Sequence, residues 1–216
     1  MKVANNKLVL AGLAGIVATG AVAAGSATAD HGATAQYRAT LSPVPHVASV
    51  DGGSNARGAV RLARRGQRVN VTLNARGVSA GLPHAVHIHG KEAAGEIARC
   101  PGAVRRDDIV DDGLIETAEG LDDYGPVLVS FTTRGDTSAK SILALDRFPV
   151  GRRSGTLNYQ RTLTVPRALA SRLDELHVVV HGHDIDRDGK YGGRTTALNA
   201  PLEGELPVAC GRIVRK

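Results

Sequence analysis

The feature that most constrains this chain is a recurring pattern of short segments in which apolar and polar residues alternate between turn residues. Tyr37-Arg38-Ala39-Thr40-Leu41 alternates, as do Gly58-Ala59-Val60-Arg61-Leu62 and Val69-Asn70-Val71-Thr72-Leu73. A period of two places successive side chains on opposite faces of a strand. The second and third segments flank Arg65-Gly66-Gln67, which predicts a hairpin. Further strands are expected at 85–89, 127–132, 141–145, 157–165 and 176–181. Many short strands with glycine-bearing turns predict an all-β sandwich or barrel. One helix is expected after Pro166, where Leu169, Leu173 and Leu176 recur at helical spacing. The stretch 100–124 has no strand pattern and reads as a long functional loop.

At the amino terminus Lys2 and Lys7 precede an apolar run over 8–24, and Ala27-Thr28-Ala29 follows. Charge, apolar run and small-x-small site in that order form a secretory signal peptide. A membrane span needs about 20 strongly apolar residues, whereas this run is short and rich in alanine and glycine. The expectation is cleavage after Ala29, leaving one domain over 30–216 that is secreted to the extracellular space or cell envelope. No membrane insertion of that mature chain is expected. Cys100 and Cys210 are the two cysteines of the whole chain. A lone pair in an exported protein reads as a disulfide, and without a CxxC spacing a thiolate metal site is the weaker alternative.

The formal net charge is +6, carried mainly by scattered arginines, and aromatic residues make up 3% of the chain. So few rings leave little with which to stack bases, so the basic charge reads as a solvated surface and no nucleic acid partner is expected.

Histidines carry the most chemical information. His87 and His89 stand two apart in an expected strand and share one face. His177 and His181 share a face of another strand, and His183 extends that group past Gly182. Packed or surface histidines are the plain alternative. Two groups meeting across a barrel would instead offer imidazoles to copper or zinc.

These segments resemble the copper/zinc superoxide dismutase superfamily and the related chordin-type (CHRD) domains of exported bacterial proteins. His84-Ala85-Val86-His87-Ile88-His89 has the spacing of the family's copper-ligand strand, and Val179-Val180-His181 matches a further ligand stretch. Ala209-Cys210-Gly211-Arg212-Ile213 matches the ending that carries one disulfide cysteine, and Cys100 follows the histidine pair as its partner does. The likeness runs from about Tyr37 to the carboxyl end. It implies a Greek-key β-barrel with one short helix and long loops. It also implies copper held by His87, His89 and His181, with His84 structural. Two departures qualify the activity. No histidine lies between Cys100 and Leu176, so no zinc is expected, and the bridging ligand is missing unless His177 or His183 substitutes. Pro207 stands where the family has an arginine that guides the superoxide anion.

Two acidic stretches read against calcium loops. Asp108, Asp112, Gly113 and Glu119 fit such a loop, with Glu116 able to bind through water, but Val110 fails at one ligand position. Asp184, Asp186 and Asp188 alternate before Gly189, although Thr195 stands where the bidentate carboxylate belongs. Solvated acidic turns are the alternative in both places. Two functions follow. One is an exported copper protein with weak superoxide dismutation; the other is a non-catalytic extracellular CHRD-like domain stabilised by calcium. No hydrolase triad, phosphate loop or nucleotide fingerprint occurs, and no catalytic residue is assigned.

Overall fold

The computed structural model describes residues 33–102 and 109–216. The expected leader over 1–29 and the calcium candidate Asp108 lie outside the described residues. Eight strands follow in chain order: β1 Ala35–Pro43, β2 Arg57–Arg65, β3 Arg68–Arg76, β4 Val86–His89, β5 Val127–Ser130, β6 Thr156–Thr164, β7 His177–His181 and β8 Pro207–Arg215. They form one antiparallel sheet in the order β5-β4-β7-β8-β1-β2-β3-β6. β2 and β3 make the expected hairpin. The β3–β4 and β6–β7 connections pass to strands that are not neighbours, the mark of a Greek key.

The sheet curls, and side chains join its two edges. Tyr159 Oη on β6 donates to the Thr132 carbonyl beyond β5 at 3.1 Å, and an Arg161 amino group donates to the same oxygen at 2.7 Å. The Phe131 and Tyr159 rings stack at 5.3 Å between centroids. The interior holds the inward residues of the alternating strands. Val60, Leu62, Val69, Val71, Leu73, Leu157 and Leu163 come from one side, and Val86, Ile88, Val178 and Val180 from the other. Each such aliphatic side chain adds roughly 1.5–3 kcal/mol on burial.

Four short helices are described: α1 Ala48–Asp51, α2 Thr117–Tyr124, α3 Arg167–Ala170 and α4 Leu202–Glu205. None is long and apolar enough to cross a membrane among the described residues.

Three local expectations need correcting. The stretch 141–145 is not a strand. It follows a 3-10 turn, Ala139–Ser141, in which the Asp136 carboxylate accepts from the hydroxyls of Ser138 and Ser141. The helix after Pro166 lasts four residues and gives way to a 3-10 turn, Leu173–Glu175, so that Leu173 and Leu176 both reach the core. The stretch 100–124 contains α2, which the reading as a loop overlooks.

Candidate metal centre

β4 presents Val86 and Ile88 inward and His87 and His89 outward. On β7, Val178 and Val180 face inward while His181 faces outward, and β4 pairs directly with β7. Three imidazoles therefore meet on the outer face of the short strands. Ring centroids lie 5.7 Å apart for His87–His89, 5.2 Å for His87–His181 and 5.5 Å for His89–His181. One ring nitrogen from each lies within 4.8 Å of the others. All three are buried, beneath α2, the turns at 139–148 and α4.

The hydrogen bonds identify the free nitrogens. His89 Nδ1 donates to the Gly125 carbonyl at 2.8 Å, and His181 Nδ1 donates to the Glu205 carbonyl at 2.8 Å, with Thr117 Oγ1 also at 3.1 Å. A carbonyl can only accept, so each Nδ1 carries the proton and each Nε2 is left with a bare lone pair. These two Nε2 atoms face each other at 3.4 Å. Two lone pairs repel unless an electrophile lies between them. Ligand nitrogens about 2.0–2.1 Å from a tetrahedral or trigonal ion stand roughly 3.3–3.6 Å apart, and the observed gap falls in that range. His87 completes the group. Neither of its ring nitrogens has a hydrogen-bond partner, and its ring is held edge-on against Phe148 at 5.2 Å.

Burial keeps these rings neutral. It holds His87 well below the ordinary histidine range, His89 at about 3 with His181 beside it adding to the shift, and His181 at about 4. Neutral imidazole is the form that binds a metal.

The support comes from residues that the sequence reading overlooks. Thr117 opens α2 against His181, Tyr124 near its end packs against the His89 ring at 4.5 Å, and Gly125 caps it with the carbonyl that His89 uses. The signal was present: Glu116 and Glu119 form a capping box at the start of α2, and Gly125 ends it at φ 76°. His46 ties the same region to β8. Its Nε2 donates to the Pro207 carbonyl at 2.9 Å and its Nδ1 accepts from the Ile115 N–H at 3.0 Å.

A narrow crevice of about 20 Å³ opens onto His87 and His181. Ile142, Leu143, Leu145 and Leu198 wall it, and no lysine or arginine lines it among the described residues. Glu205 is its one acidic side chain. Burial pushes that carboxyl up to about 7, while the Thr196 hydroxyl and the Arg194 guanidinium pull the other way. Neither carboxyl oxygen meets hydrogen-bond geometry.

The remaining candidates fall elsewhere. His84 packs beneath the site, with Nδ1 3.0 Å from the His181 carbonyl and Nε2 2.9 Å from that of Ser79. His177 is not an extra ligand. It stands four residues from His181, about 13 Å along a strand, with Val179 between them on the same face, and it is outside the cluster. His183 also lies outside the cluster, with its Nε2 donating to the Asp51 carbonyl at 2.5 Å.

The residues of the first calcium reading form no cluster among the described residues. Asp112 and Glu116 pair with Arg194, while Glu119 accepts from the backbone N–H groups of Ile109, Val110 and Glu116. Asp184, Asp186 and Asp188 do converge, with one oxygen of each within 4.8 Å of the others. Their carboxylates accept the N–H groups of Asp188, Gly189 and Lys190, which closes the turn on itself. Cys100 and Cys210 are bonded, as expected.

No family model matches this chain, and no curated protein matches it.

Proposed function

We propose that this chain is an exported copper-binding protein of the superoxide dismutase-like superfamily, with at most slow superoxide dismutation. The observation that carries the metal reading is the pair of bare Nε2 atoms at 3.4 Å, with the unpartnered His87 beside them. An all-imidazole set suits copper and zinc, and copper(I) accepts a low coordination number. Bound there, copper would supply one-electron chemistry. The chain's own part is to hold three neutral imidazoles together, two of them, His89 and His181, in fixed tautomers through Gly125, Glu205 and Thr117. It also screens them from water with Phe148, Tyr124 and the apolar crevice wall.

Slow turnover follows from the same crevice. It offers an incoming anion no positive charge, it holds Glu205, and Pro207 replaces the guiding arginine that the resemblance implies. A competitive titration with copper(I), copper(II) and zinc tests the site. One copper per chain is expected, and His87→Ala with His89→Ala should abolish it. A double variant that binds copper as the parent does, or a parent that prefers zinc, overturns this reading. The copper-loaded protein should dismutate superoxide well below the diffusional ceiling of about 10⁸–10⁹ M⁻¹s⁻¹. A rate near that ceiling would exclude the slow reading.

The apolar crevice also favours a second reading, a non-catalytic chordin-type domain in which the metal is structural. Bound copper that does not cycle between its oxidation states on treatment with reductant and oxidant would select it.

A further inference from the structure

The five long strands, nine residues each, contain ten arginines and not one acidic residue. They are contiguous in the sheet, in the order β8-β1-β2-β3-β6. Alternation sends Arg38, Arg57, Arg61, Arg68 and Arg76 to the outer face, where all are exposed. The register sets Arg38 directly opposite Arg61, and Arg57 directly opposite Arg76. Like charges so placed are destabilising, by up to about 1 kcal/mol a pair. Among the described residues, no ion pair joins Arg38, Arg57, Arg61 or Arg76 to a carboxylate. The fold alone gives no reason for this arrangement.

We infer that this face is a docking surface for an acidic polysaccharide. A strand advances about 3.4 Å per residue, so the Arg57/Arg76 and Arg61/Arg38 pairs stand about 13–14 Å apart along it. That spacing suits a linear chain with repeated anionic groups. Between and beside the pairs lie outward Thr40, Thr72, Asn74, Asn158 and Gln160. A shallow depression over Gly58 and Ala59 is rimmed by Arg57, Arg76 and Arg152. Guanidinium forks bind sulfate and carboxylate groups through paired charge-assisted bonds, and amides and hydroxyls meet sugar hydroxyls. The face carries no aromatic side chain for stacking nucleic acid bases. Val214 is its lone large exposed apolar residue, too little to enter a bilayer.

The test is calorimetric titration of the purified protein with a heparin-derived sulfated hexasaccharide over a series of salt concentrations. The variant Arg38→Gln/Arg57→Gln/Arg61→Gln/Arg76→Gln is compared with Arg134→Gln/Lys140→Gln/Arg167→Gln/Arg187→Gln, which removes equal charge elsewhere. The sheet variant should lose more than about tenfold in affinity. Its salt dependence should flatten by roughly one unit of slope for each arginine that had bound an anionic group, as for other polyanions. It should melt no lower than the parent, because two like-charge pairs are relieved. The control variant should keep most of the affinity. Equal losses in the two variants overturn the proposal, because net charge alone would then account for binding. Tighter binding to a single-stranded oligonucleotide or to anionic vesicles overturns the choice of polysaccharide.

Discussion

His89 and His181 each spend a proton on a backbone carbonyl and turn a bare nitrogen toward the other. His87 and His89 were legible as a pair because period two is a property of the strand itself. Thr117, Gly125 and Glu205 were not, because two of them act through carbonyls that any residue type carries. The depressed histidine values make a pH prediction. In the unfolded chain a histidine titrates near 6.5, while folded His89 and His181 do so near 3 and 4. Below pH 6.5 the unfolded state takes up protons that the folded state refuses, so stability falls as pH falls, by about 1.4 kcal/mol per unit for each ring. Glu205 works in the opposite direction. Its raised value lets the folded state hold a proton between about pH 4.5 and 7, so its contribution fades as pH rises. One carboxyl does not offset three buried rings. The metal-free protein should therefore melt progressively lower from pH 6.5 to pH 4. A melting temperature that is flat or rising over that window would contradict the burial of these rings.

Among the elements, α2 decides how well the site is held. Its acidic start invites a calcium reading from sequence, yet Glu116 and Glu119 cap the helix and its end supplies Gly125. Gly125 has φ 76°, and a side chain there would run into the backbone of Gly90. Gly125→Ala should lower the melting temperature and weaken metal binding about 10- to 100-fold, the usual effect of disturbing a ligand's hydrogen-bond partner. Gly81→Ala is the control, since Gly81 has φ 77° but open space around it. It should pay only the backbone strain and keep full metal affinity. If both variants bind metal alike, the Gly125 carbonyl does not orient His89. The strands that alternate cleanly, β1, β2, β3 and β6, were readable because each has one buried face and one wet one. β8 was not, because its first five residues are buried on both faces, between the core and the loops over the site. The segment 141–145 misleads for a related reason: its apolar side chains wall the crevice and do not fill the barrel.

Across the whole molecule, the long strands carry the arginines, the short strands carry the histidines, and one covalent link braces the second group. Cys100, in the segment leading to α2, is bonded to Cys210 on β8, 110 residues away, with 5.7 Å between Cα atoms. Cys210 pairs in register with Val179, two residues before His181 on the neighbouring strand. The disulfide packs with Val44, Ile115, Tyr124 and Val179, the last two next to the histidines in space or in sequence. Closing so long a loop removes freedom mainly from the unfolded chain, worth about 4–5 kcal/mol in the entropy model. In a protein of this size that corresponds to roughly 8–20 °C in melting temperature. A purely unfolded-state effect would lower stability and leave the folded site untouched. Here the link also anchors the segment that delivers Thr117, Tyr124 and Gly125 to the imidazoles. Reduction, or replacement of both cysteines by serine, should therefore lower the melting temperature by about that amount and also weaken metal binding at temperatures where the protein is still folded. The two effects separate cleanly by experiment. Metal affinity measured well below the melting transition of the double serine variant reports the site alone, and a value equal to that of the parent would mean that the disulfide acts on the unfolded chain and leaves the placement of α2 to packing.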